Sequence, residues 1–427
     1  KTRFEYQVLG DQIIISKPVE RNAESAPAEQ KSKVILFKGR VIDREADEVL
    51  PYTSISILGS HISTISNADG DFELKIPEKR NQDTVVFSFV GYRPYKQPIA
   101  EIINQPVTIY LQPSSVQLKE IQISYIDAQA IVDKIISKIE VNYPLDPELM
   151  TAFYREVLKQ DSKYIDVAEA VMEIRKAPYG NELIQDKSKV LKGRKSDNVQ
   201  ASQLVDFKIQ GGPYYITKLD VIKTLDSFLD PEFRDAHKYW LDEIVELDNR
   251  KTYVIQFKPK EKIDYPCYQG KLFVDMSSLA LVKAEFGLTR SGLRFANQSL
   301  IKKKPKAFYV RPLSANYYVS YRRANNKWHL NSAQASLAFK VKSKKDKLNS
   351  TFHSVSDLLI TDFKPDDGTH FKRDEVFNAK DIFTETIRNY DEDFWGNYNI
   401  IKPSEDLRNA LRNYNPKNDP DIENNGK

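Results

Sequence analysis

The chain has 427 residues, 41% hydrophobic and 29% charged, with 64 basic side chains against 60 acidic ones. That length suits two to four domains with true cores, and the composition excludes a disordered chain. The near balance of charge excludes a dedicated nucleic-acid binder, which concentrates basic residues on one face.

Finer counts narrow the class. Tyr and Phe number 23 and 21 against 3 Met, a bias that suits strands. The runs Lys302-Lys303-Lys304 and Lys344-Lys345 are short and read as solvated loops or strand ends. The lone cysteine, Cys267, sits in the strand-like "YPCYQGKLFVD" and reads as a packed thiol. No run approaches the ~18 apolar residues of a membrane helix. No signal peptide is visible, and the chain enters strand-like sequence directly from Lys1. A processed or truncated start is therefore expected.

In chain order, "FEYQVLGDQIIISKP" holds two short β runs joined at Gly10-Asp11, a segment over 1–18 too short to be a domain alone. Residues 19–33 are polar, rich in Ala, Glu and Ser, and read as a linker. Over 34–124 the stretches "VILFKGRVID", "TSISILG", "HISTIS", "DFELKIP", "TVVFSFVG", "PVTIYLQP" and "KEIQIS" predict a small antiparallel sandwich of seven strands. Phe72, Leu74 and Ile76 share one face of their strand, so a one-residue slip would turn all three into water.

Residues 125–414 read as a larger unit. Ile131, Ile135 and Ile139 have helical spacing, and Pro144 and Pro147 end that helix. "TAFYREVLKQDSKYIDVAEAVMEIRKAP" predicts strands or an extended hairpin, and Asn181–Asp206 is polar and loop-rich. A helix is predicted from Leu219 to Trp240, restarted by an Asp230 cap and Pro231. From Asp242 to Phe363 the pattern predicts a large curved antiparallel sheet, with "DMSSLA" and "RANNKW" as hairpin turns. Two helices, Asp381–Asp391 and Ser404–Tyr414, close the unit, and 415–427 reads as a disordered tail. The fold class expected is mainly β: a seven-stranded sandwich followed by a larger curved sheet with a few helices.

A search for chemistry finds little. "SNADGDF" (66–72) alternates Asn67, Asp69 and Asp71 around Gly70 like a calcium loop. Setting Gly70 as position 6 of such a loop puts Ile65 at position 1 and Ile76 at position 12, where oxygen ligands belong. A hairpin turn fits better, with Gly70 free to take a positive φ. The five His residues show no metal-ligand spacing, and no nucleophile elbow, Walker loop or dinucleotide fingerprint occurs. No metal, cofactor or catalytic residue is therefore assigned. The Asp391 and Asp393 carboxylates read as a polar loop beside an aromatic anchor.

Residues 38–124 carry the most specific pattern. "KGRVIDREADEVLPYTSISILGSHISTISNADGDFELKIP", "VFSFVGYRPYKQPI" and "VTIYLQPSSVQLKEIQIS" resemble the carboxypeptidase regulatory-like domain in its Bacteroidota version. The resemblance implies a transthyretin-type sandwich without zinc ligands. "FEYQVLGDQIIISKP" is similar to the last two strands of the short N-terminal domain of secretins and TonB-dependent receptors. The 126–414 region resembles the C-terminal part of Bacteroidota proteins bearing the same sandwich, and "GKLFVDMSSLALVKAE" is similar to a hairpin of lipoprotein-carrier half-barrels. These resemblances imply a periplasmic, outer-membrane-associated protein.

Three functions follow as expectations. The first is a non-enzymatic scaffold docking on an outer-membrane β-barrel complex: a TonB-dependent transporter, the barrel-assembly machine or a secretion translocon. Tyr214, Tyr215, Trp395 and Tyr398 are its candidate partner contacts. The second is a periplasmic carrier of lipid or unfolded protein on the curved sheet, favoured by a continuous apolar lining and opposed by a plug of packed aromatics. The third, a hydrolase, needs titratable groups from distant segments to converge.

Overall fold

The computed structural model describes residues 5–9, 12–16, 33–102, 105–114, 126–181, 183–197, 208–209, 211–261, 266–296, 300–368, 370–383, 387 and 395–412. An N-terminal hairpin pairs β1 (Glu5–Leu9) with β2 (Gln12–Ser16). The linker 19–32, the segment 119–124 and the tail lie outside the described residues.

Seven strands form the sandwich: β3 (Val34–Asp43), β4 (Ser54–Ile57), β5 (Ser63–Ile65), β6 (Asp71–Pro77), β7 (Thr84–Ser88), β8 (Tyr95–Pro98) and β9 (Val107–Leu111). They stack as sheets of order β6-β3-β9 and β5-β4-β7-β8. Phe37, Phe72 and Phe87 meet edge-on at its centre, with centroids 5.2–5.9 Å apart. Two expectations change. The strand "YKQP" was not foreseen, because its burial is slight and a proline ends it. The sandwich is also not wholly antiparallel, since β9 returns to lie parallel to β3.

One ten-stranded antiparallel sheet dominates the rest. It comprises β10 (Glu148–Gln160), β11 (Lys163–Lys176), β12 (Lys187–Asp197), β14 (His237–Leu247), β15 (Arg250–Pro259), β16 (Tyr268–Asp275), β17 (Leu281–Leu288), β19 (Tyr309–Ala324), β20 (Lys327–Ser343) and β21 (Leu348–Pro365). Their order is β12-β11-β10-β21-β20-β19-β17-β16-β15-β14, and the sheet is curved. A small pair, β13 (Lys208–Ile209) with β18 (Ile301–Lys303), lies apart from it. Both foreseen turns are present: Asn325 and Asn326 take positive φ, as does Leu279 in "DMSSLA".

Short helices cover one face: α1 (Ala128–Ser137), α2 (Ile139–Asn142), α3 (Pro213–Ile216), α4 (Val221–Thr224) and α5 (Gly292–Phe295). Asp127 caps α1 by accepting the Ala130 N–H at 3.0 Å. The helix expected over 219–240 is absent. Asp220 caps α4, but Leu225 turns left-handed at φ 45° and stops it. Asp230 accepts the Glu232 N–H in a turn rather than a cap, and β14 already begins at His237. Asn181–Asp206 is likewise not all loop. Residues 187–197 form edge strand β12, bridged at Lys189 by Val376, and its lysines suit a sheet edge but hide its strand character from the sequence. Near the C-terminus α6 (Glu405–Arg412) stands where a helix was expected. Most of Asp381–Asp391 lies outside the described residues.

Candidate functional site

Alternation along each strand gives the ten-stranded sheet two unlike faces. On one, the lid face, Tyr154, Phe257 and Phe286 share a core with residues of α1, α2, α3 and α4. On the other, the sandwich face, Phe153, Val171 and Leu359 pack against Ile65 of β5 and Trp395, Ile400 and Ile401.

A single register row crosses the lid face. Tyr239, Phe257, Gly270, Phe286 and Tyr317 lie opposite one another on β14, β15, β16, β17 and β19. Ala335, Ser356, Glu156 and Ala168 continue the row on β20, β21, β10 and β11. Four of these nine residues are aromatic and five are small or polar. Gly270 is the bare position between two rings, and a Cβ there would meet the Glu285 carbonyl oxygen at 2.1 Å. Over this gap sits Phe228 from the segment after α4, stacked on Phe257 at 4.5 Å and 5.0 Å from Phe286. Tyr268 and Tyr317 join this core to a second apolar cluster containing Leu337, Phe339 and Phe352. The apolar band thus runs down much of the lid face.

Polar groups are few here. Asp226, next to Phe228, has its carboxyl raised above the usual carboxylate range by burial. Burial, and then the Asp226 charge, push the Tyr268 and Tyr317 phenols up. Among the described residues neither phenol oxygen has a hydrogen-bond partner. A carboxyl and two phenols set in an apolar wall can orient one polar end of a ligand.

Two buried charge networks brace the sheet. Lys176 lies 2.7 Å from Asp186 and 2.6 Å from Asp220, and Asp220 also accepts from Tyr179 and Tyr321 at 2.8 and 2.7 Å. This ties α4 to the sheet. On the opposite face Glu169 bridges Arg155 and Arg194, each at 2.7 Å, and Arg155 donates to the Ile401 carbonyl. Lys176, Asp220 and Glu169 are almost fully buried, so each network reads as bracing rather than a reaction centre.

The four aromatic candidates separate. Trp395 is only 4% exposed, edge-on to Phe153 at 5.6 Å, with the Arg194 guanidinium 4.8 Å from its ring. It packs inside this chain. Tyr398 is partly buried against the same cluster. Tyr214 and Tyr215 stand edge-on to each other at 5.0 Å in α3, half-buried, with Lys218 4.9 Å from the Tyr214 ring. The structure does not bring the two pairs together.

"SNADGDF" is a turn with a further task. Asn67 Oδ1 accepts the N–H groups of Asp69 and Asp71, both at 2.9 Å, and Gly70 has φ +75°. The same residues grip the C-terminal segment. Asn67 donates to the Pro403 carbonyl at 3.1 Å, Asp69 accepts the Glu405 N–H at 2.7 Å, and Asp71 pairs with Lys402. Lys75 and Asn399 add reciprocal bonds of 2.7 and 3.1 Å. Sequence reasoning missed this clamp, because nothing local links position 67 to position 403.

No curated protein matches the chain. Among solved structures, a domain described as an outer membrane lipoprotein-sorting protein from Vibrio parahaemolyticus is 10% identical with TM-score 0.29, covering 57% of this chain and 95% of that one. A DUF1329 family protein from Desulfovibrio piger is 9% identical with TM-score 0.26, covering 57% and 95%. MucB is 12% identical with TM-score 0.19, covering 56% and 98%. Likeness at this level says nothing about ligand or partner. The sandwich is better placed: residues 37–123 match the model of the CarboxypepD_reg-like domain family.

Proposed function

We propose that this is a non-catalytic, periplasmic carrier-type protein whose curved sheet holds an apolar ligand beneath the α3–α4 cover. The observation that carries this reading is the continuous apolar band on the lid face, closed by Phe228 over the bare Gly270 position. Packed rings oppose a carrier when they fill an open sheet, and here the Phe228–Phe257–Phe286 packing is read as the closed state of the lid. Ligand entry requires Phe228 and the 225–229 stretch beyond α4 to lift, a stretch of turns rather than regular helix. An acyl chain fits the band, with its polar end near Asp226, Tyr268 and Tyr317. Among the described residues no helix is long and apolar enough to cross a membrane.

Docking on an outer-membrane barrel complex ranks second. It has the short exposed edge strand β8 in its favour. The sandwich edge around β5 is already used inside the chain, where Ser63 and Thr64 donate to the Ile360 and Ile400 carbonyls at 3.0 and 3.1 Å.

The test is a titration of detergent-free protein with cis-parinaric acid, a fluorescent fatty acid. Saturable binding near one per chain is expected, and Tyr317→Ala should change the affinity severalfold. Absence of saturable binding contradicts the carrier reading.

A further inference from the structure

The sandwich face carries a depression unrelated to the apolar band. A groove of about 710 Å3 lies between the β6-β3-β9 sheet and the C-terminal segment. Its lining includes five cations, Lys38, Arg40, Arg194, Lys402 and Arg408, against the two carboxylates Asp71 and Glu73.

Among the described residues the ion pairs leave two of these cations, Lys38 and Arg408, unmatched. Asp71 serves two cations at once, Arg40 at 2.7 Å and Lys402 at 3.1 Å. Arg194 shares Glu169 with Arg155. Lys38 stands opposite Glu73 in the β3–β6 register, yet among the described residues neither Lys38 nor Arg408 makes an ion pair. Like charges gathered in a concave wall repel one another and attract an anion. Guanidinium forks beside ammonium groups match the oxygens of a phosphate. The Thr108 hydroxyl, on edge strand β9, adds a neutral hydrogen-bonding group to the same wall.

We propose that this groove binds a phosphate-bearing anion, contacted directly by Lys38 and Arg408, with Asp71 positioning Arg40 and Lys402. The chemistry is shared by a free phosphorylated molecule and a phospholipid headgroup. The clamp around "SNADGDF" forms one wall, so an anion here would also hold the C-terminal segment against the sandwich.

The experiment uses the full chain. Pyrophosphate is titrated by calorimetry at 0.15 M salt, and vesicles of phosphatidylcholine with and without phosphatidic acid are co-sedimented. The variant is Lys38→Gln with Arg408→Gln, and Lys344→Gln with Lys345→Gln on the remote β20–β21 turn is the charge-matched control. Saturable binding of pyrophosphate or of phosphatidic acid vesicles is expected, weakened at least tenfold in the variant and unchanged in the control. Pyrophosphate binding assigns a free ligand, whereas vesicle binding alone assigns a headgroup. An unchanged melting temperature shows the variant folded, and if it does not fold, Lys38→Gln alone should still weaken binding at least threefold. The proposal is overturned if neither probe binds, or if the folded variant binds like the wild type.

Discussion

The two faces of the ten-stranded sheet are held by different physics. The sandwich face is fastened by directional bonds: the Arg155–Glu169–Arg194 bridge, the Asn67 and Lys75 contacts, and the Asp71 pairs. The lid face is anchored at α4 by the Lys176–Asp186–Asp220 network, and beyond α4 it is held by ring packing, with Phe228 as its keystone and Asp226 as an uncomfortable neighbour. Directional networks fix one geometry, whereas a packed apolar lid on short helices can open and reclose. The contrast predicts that the sandwich and the C-terminal segment hold still while the 225–236 part of the front moves.

Substitutions can break that contrast one face at a time. Glu169→Gln leaves two buried guanidinium groups short of a counter-charge and should cost about 3–5 kcal/mol in urea unfolding. The back should then loosen first, with faster hydrogen exchange over 395–408. Phe228→Ala removes the keystone and should cost about 3 kcal/mol. Faster exchange should be confined to 213–236, and spread into 395–408 would mean the faces are not separate. Gly70→Val forces a β-branched residue to φ +75° with its Cβ 2.8 Å from the Val41 carbonyl oxygen. About 1–3 kcal/mol should be lost. Asp69→Ala loses only the Glu405 N–H contact and should cost about 0.5–1.5 kcal/mol, with no calcium binding in either form.

The smallest effect is a difference in sign with pH. Burial would raise the Glu169 carboxyl, but Arg155 and Arg194 outweigh it and hold it below its ordinary value. Its contribution is present above the unfolded carboxylate pKa of about 4 and is lost as pH falls through the depressed folded value. Asp226 is raised, so its ionised form weakens the lid above the raised folded value, and the weakness is relieved as pH falls through it. Acidification from neutral pH should therefore slow exchange over 221–229, and Asp226→Asn should abolish that trend.

The back was partly legible in the sequence, and the front much less so. Alternation at Phe72, Leu74 and Ile76 and the "RANNKW" turn are local signals, and the structure keeps both. The residues after Leu219 show genuine helical spacing, but Leu225 and the Asp230 turn break it, because Val221, Ile222 and Phe228 follow the sheet beneath them. Strand β12 is rich in lysine and gains its structure from pairing with β11. Trp395, a candidate contact for which core packing is the favoured role, fills the seam between sandwich and sheet. The lid-face row could not be read at all, since its four rings come one each from four of the sheet's five strands between 237 and 324, with Gly270 from the fifth.

Hydrogen exchange over residues 221–229, measured with and without saturating cis-parinaric acid, tests the carrier claim most directly. A ligand held beneath the lid should slow exchange there at least tenfold while leaving 395–408 unchanged. Binding that leaves 221–229 unaltered would contradict the account.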